Sequence, residues 1–153
     1  MSEKAGVDLP SPGPSHRAPI EVVLRWGPTR EGSLRFGGYA AVWGRPDRAG
    51  DVVRRGAFGA QTRRAPLLWN HAGPPLGEVA VAEDARGLRV EGVVEGAAAD
   101  AVRSRAVAGL SVGYRAIRAR SGVWRELVEA ELLEVSLVRV PMQALARVDR
   151  VGG

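Results

Sequence analysis

"LGEVAVAEDARGLRVEGVVE", Leu76 to Glu95, is two strands joined by a turn. Apolar and polar residues alternate on both sides, and Asp84 and Gly87 bracket a tight connection, so the segment is predicted to be an antiparallel hairpin. Working outward, "SLRFGGYAAVW" (Ser33 to Trp43) is an apolar strand whose Gly37–Gly38 pair suggests a bulge. Before it, Ile20, Val22 and Leu24 alternate with Glu21 and Arg25 as in a half-buried strand. Pro46, Asp47 and Gly50 mark a loop, followed by a short helical piece near Ala57 to Arg64. "APLLWN" is a buried strand running to His71, and "AGPP" is expected to turn directly after it.

The second half continues in this style. "AAADAVRSRAVAG" is the best helix, Ala-rich, with Gly109 as its expected C-terminal cap. "SVGYRAIRA" and "VWRELVEA" form a strand pair around Ser121–Gly122. "ELLEVSLVRV" is a further long strand stopped by Pro141, and "MQALARV" a final helical turn. Seven or eight strands with one or two helices predict an α+β protein, a mostly antiparallel sheet curled into a barrel or sandwich with peripheral helices. Residues 1–18, with Pro10, Pro12 and Pro14 and no periodic apolar pattern, read as a disordered arm, and residues 19–153 as a single domain.

Composition narrows the chemistry. The 153 residues contain no cysteine, so disulfides, thiolate catalysis and cysteine-held metals are excluded. The histidines are His16, in the arm, and His71, too few for a histidine-built metal site. No acidic cluster has calcium-loop spacing, and neither a metal nor a cofactor is expected. No apolar run reaches membrane-spanning length and the polar start has no signal-peptide pattern, so a soluble cytoplasmic protein is expected. The net charge of +5 resides in the first 64 residues, where 11 basic side chains face 6 acidic ones; the remainder balances 11 against 11. Aromatic residues do not interleave with the arginines, so a nucleic-acid partner is not expected.

A serine hydrolase needs a hydroxyl nucleophile, a base to take its proton, and a group that holds the base. His71 is the only candidate imidazole outside the arm. From pattern alone it is either that base or a packed, inert residue at a strand end. Ser111 is distinguished from the other serines by its position just after the helix, with Gly113 two residues on, where a missing side chain would let a substrate backbone approach. It is equally a small residue at a tight junction. Glu134 is expected to share a strand face with Leu132, Ser136, Val138 and Val140, where a carboxylate needs a partner. An imidazole would serve, and so would solvent at a sheet edge. Ser136 is a fallback for orienting His71 through a bridging water.

Five segments in order, "GYAAVWGRPDRAGDVVRRGAF", "LLWNHAGPPLGEV", "GLRVEG", "LSVGY" and "LLEVSLVRVPMQALA", resemble the prohead (capsid maturation) proteases of tailed phages and gene transfer agents. That family is similar in fold to the herpesvirus assembly proteases, serine enzymes built on a mostly antiparallel β-barrel with peripheral helices. The resemblance implies His71 as general base and Ser111 as nucleophile. The herpesvirus relatives complete the triad with a second histidine on a later strand; here Glu134 takes that role by location. Backbone N–H groups at Val112 and Gly113 are candidate oxyanion donors, with Arg139 as a side-chain contributor. The implied function is a serine endopeptidase acting inside the assembling procapsid in the host cytoplasm. Its partners would be the major capsid protein with its scaffolding segment and the protease itself, by self-cleavage or oligomerisation. The alternative is a non-catalytic assembly factor of the same fold.

Overall fold

The structure, a computed structural model, describes residues 30–152. The expected arm and the strand at Ile20 to Arg25 lie outside the described residues. Eight strands follow in chain order: β1 (Ser33–Val42), β2 (Asp51–Val53), β3 (Arg63–Trp69), β4 (Ala72–Glu83), β5 (Gly87–Glu95), β6 (Gly109–Arg120), β7 (Arg125–Val138) and β8 (Val148–Gly152). One helix, α1 (Gly96–Arg103), sits between β5 and β6. All strands join one sheet, in the order β2-β7-β3-β4-β5-β1-β8, with β6 on β7.

The hairpin expected at Leu76 to Glu95 is formed by β4 and β5. Asp84 Oδ1 accepts the Arg86 and Gly87 N–H groups at 2.8 and 3.0 Å, which fixes the turn. The bulge expected at Gly37–Gly38 occurs as a register shift between β1 and β8. The sheet is mostly antiparallel, but β2 and β3 each run parallel to β7, on the edge opposite β6. Phe36, Leu67, Val79, Val90, Leu110, Leu127, Val135 and Leu137 fill the core, each at most 1% exposed. Ala99 and Val102 of α1 pack into it from one side.

Several expected elements differ. β7 is a single 14-residue strand where two were anticipated, because "VWRELVEA" and "ELLEVSLV" run on without a turn residue between them. Among the described residues α1 is the only α-helix; in the expected helical piece at Ala57 to Arg64, turns and bends lead to Arg63 and Arg64 in β3, and Met142 to Arg147 are turns and bends leading into β8. α1 also stops early, at Ser104, and Arg105 enters the left-handed region at φ 68°. Gly109 is therefore not its cap. It opens β6, where a Cβ would lie 2.8 Å from Pro141 Cδ and 2.9 Å from Val138 O, so close approach is what requires glycine. Among the described residues the ladders do not close a barrel. β6 meets the segment leading into β8 through an isolated bridge, Gly109 to Arg147, flanked by bonds from Leu110 N–H to Ala146 O and Val148 N–H to Ala108 O. Beyond Leu110 the outer edge of β6 pairs with no strand among the described residues.

Candidate active site

β3 and β4 are joined by two residues only, Asn70 and His71, between the paired Trp69 and Ala72. Both have positive φ, 54° and 62°. This is the geometry of a type I′ hairpin turn, which matches sheet twist but asks for a left-handed backbone at both centres. The turn is thus His71 itself, and "AGPP" is the start of β4 rather than the turn anticipated there. For a non-glycine residue a left-handed backbone costs about 1–2 kcal/mol. Two bonds to β7 hold it: Asn70 N–H donates to Leu137 O at 2.9 Å, and His71 N–H donates to Ser136 Oγ at 2.9 Å.

Glu134 comes from β7. Its partner on β6 is Gly113, whereas Tyr114 pairs with Leu132, so Leu133 is an extra, bulged residue. The bulge turns Glu134 and Leu132 to opposite sides of the sheet, correcting the expectation that they share a face. Val140 lies past the end of the strand. The Glu134 carboxylate is held at both oxygens. Oε2 accepts the His71 Nδ1–H at 2.7 Å, and Oε1 accepts the Ser136 hydroxyl at 2.8 Å. Its side chain is 15% exposed against 43% for His71, so the carboxylate is the more enclosed member of the pair. With Nδ1 engaged, Nε2 is left to face a reacting group.

Ser111 and Ser136 are direct cross-strand partners on β6 and β7, and their hydroxyls are placed differently. That of Ser136 is fully buried and committed, donating to Glu134 and accepting from His71 N–H. Ser111, 5% exposed, lines a cavity of about 130 Å³ together with His71. Ser111, Val112 and Tyr114 of β6 line it together with Ala40 and Ala41 of β1. Backbone direction sorts the two oxyanion candidates. Leu110 N–H points outward to Ala146 O, so strand alternation turns Val112 N–H outward too and Gly113 N–H inward to β7. Gly113 has a second reason to lack a side chain: its bare Cα lies beneath the Glu134 carboxylate.

Tyr114, which lines the cavity, belongs to a cluster not anticipated from sequence. Tyr114 O–H donates to Asp51 Oδ2 at 2.8 Å, and Arg125 grips both oxygens of Asp51 at 2.9 Å. The Arg125 contact holds the Asp51 carboxyl below its usual range, with Tyr114 helping against the opposing effect of burial. Burial, then Asp51, pushes the Tyr114 phenol up, so it stays a neutral donor. Gln143 fixes the covering segment, accepting Val42 N–H at 2.6 Å and donating to Val42 O and Arg45 O at 3.1 and 2.8 Å. The hint available was a Gln beyond a strand-ending Pro141, which composition alone could not connect to β1. Arg139 is not brought to this cavity. It lines a separate depression with Trp69, Asn70, Leu137 and Val140. Among the described residues no group of three or more His, Asp or Glu side chains is placed to hold a metal ion, and no helix is long and apolar enough to cross a membrane.

Residues 23–152 match the family model described as Caudovirus prohead serine protease. The chain belongs to this family. The prohead protease of Enterobacteria phage HK97 is 37% identical over 92 residues, covering 52% of this chain and 41% of the phage protein. The match thus spans less than half of that relative. Among solved structures, KSHV protease in complex with a hexapeptide phosphonate inhibitor superposes with a TM-score of 0.50 at 14% identity. It covers 79% of this chain and 65% of the viral one, a likeness of fold.

Proposed function

We propose that this prohead protease family member is a serine endopeptidase in which Ser111 is the nucleophile, His71 the general base and Glu134 the group that orients it. The observation that carries this reading is the junction of three strands: His71 bonded through Nδ1 to Glu134, and opening with Ser111 onto one cavity. Ser111 Oγ attacks the scissile carbonyl while its proton passes to His71 Nε2, and the imidazolium is stabilised by Glu134. The carbonyl oxygen becomes an oxyanion within reach of the outward Val112 N–H. His71 then returns the proton to the departing amine, leaving an acyl-enzyme that water hydrolyses by the reverse sequence. An extended peptide laid along the edge of β6 that is unpaired among the described residues would add a strand to the sheet there.

The substrates we infer are the scaffolding segment of the major capsid protein and the protease itself, inside the procapsid in the host cytoplasm. Family membership supports that assignment. Co-expression of the Ser111→Ala variant with the capsid precursor, followed by intact-mass analysis, tests it. Untrimmed precursor is expected; normal trimming in the presence of a folded variant would overturn it.

A further inference from the structure

We infer that Ser136 is a positioning residue whose single hydroxyl locks base and carboxylate into one geometry, an inference that rests on the reading of His71 as the base. A serine hydroxyl has one hydrogen to give and two lone pairs to receive. Here the hydrogen goes to Glu134 Oε1 and one lone pair takes His71 N–H. The same carboxylate's other oxygen meets the same histidine's ring at Nδ1, so three residues close a loop of three hydrogen bonds. Each bond restrains something otherwise loose. The terminal torsion of a glutamate is broad, and the Ser136 donation fixes the plane of Glu134 so that Oε2 faces the ring. The left-handed backbone of His71 is the strained element, and the Ser136 oxygen satisfies its N–H.

Position explains why serine is required. Ser136 is fully buried, so no bulk water is at hand to replace a deleted hydroxyl. It sits on β7 directly beside β3, paired with Leu68, one step before the turn leaves the sheet. Its Oγ therefore reaches back to the first turn residue that carries chemistry. The hydroxyl is not a second nucleophile, because its proton is directed at a carboxylate and it does not line the cavity. Nor is it a packing device, since alanine would fill nearly the same volume. The bridging water imagined between Ser136 and His71 is unnecessary; the contacts are direct.

The test uses the full chain, whose two histidines give a simple imidazole spectrum. Long-range proton–nitrogen correlation of His71 should report the neutral Nδ1–H tautomer in the parent protein. In Ser136→Ala the signals should move toward the mixed tautomers of a free imidazole. Turnover should fall about 10–100-fold, the scale of a small misplacement of a reacting group, with KM little changed. Ser136→Cys keeps the volume but bonds weakly, so it should show the same two changes and serves where the alanine variant does not fold. Unaltered tautomer and turnover in a folded variant would overturn the proposal. The imidazole readout does not depend on peptidase activity, so it judges the lock even if Ser111→Ala keeps its turnover, the result that would instead sink the parent reading.

Discussion

Gly113 lies directly under the Glu134 carboxylate: a Cβ built on it would stand 2.7 Å from Glu134 Cδ. The glycine is thus a seat for the group that holds His71. Gly113→Ala must push Glu134 off His71 Nδ1 or bend β6. A fall in turnover of about 10–100-fold is expected, in line with modest misplacement at a reacting centre. Steady-state kinetics on a peptide substrate, with thermal unfolding as a control, checks it. Full activity would mean that Glu134 has another productive position.

Glu134→Gln removes the charge and leaves the shape. An amide can present either its oxygen or its NH₂ to the ring, and it offers the imidazolium no countercharge. Turnover should drop by about 10²–10⁴, by analogy with the carboxylate-to-amide change in serine protease triads. Retention of most of the turnover would reduce the site to a Ser111–His71 pair.

The Asp51–Arg125 contact gives a pH dependence with a definite sign. Because the folded Asp51 carboxyl is held below its usual range, chiefly by Arg125, it contributes stability above the unfolded carboxylate pKa of about 3.9. That contribution is lost as pH falls through the lower, folded value. Arg125→Gln should therefore lower Tm at neutral pH and narrow its gap to the parent below about pH 4. Melting curves across the acid range decide it; a constant gap at all pH would show that Arg125 acts without Asp51.

Arg139 stands outside the cavity shared by His71 and Ser111. Arg139→Ala should leave turnover unchanged. A loss of about 10²–10³, the usual cost of an oxyanion donor, would bring Arg139 back as that donor.

Alternation and turn chemistry made much of this molecule legible. The Asp84–Gly87 hairpin, the Gly37–Gly38 irregularity and the strand character of the segments bearing Ser111 and Glu134 could all be read from local pattern. What was lost is non-local or stereochemical. The propensity of Asn and His for a left-handed backbone is too weak to place the turn at Asn70–His71, and the prolines after it drew the turn to the wrong place. The bulge at Leu133 depends on how β7 pairs with β6, so the face of Glu134 could not be counted off by twos. Tyr114 and Gln143 matter through partners 63 and 101 residues away in sequence, where one chain read alone gives no signal, and the sequence linked Ser136 to His71 without showing their direct bond.

The most direct test of the central claim is covalent capture of the nucleophile. A reactive fluorophosphonate should add once to the parent protein, and peptide mapping should place the adduct on Ser111. His71→Ala should abolish labelling while the fold persists. An adduct on Ser136, or labelling of Ser111 undiminished without His71, would contradict the account.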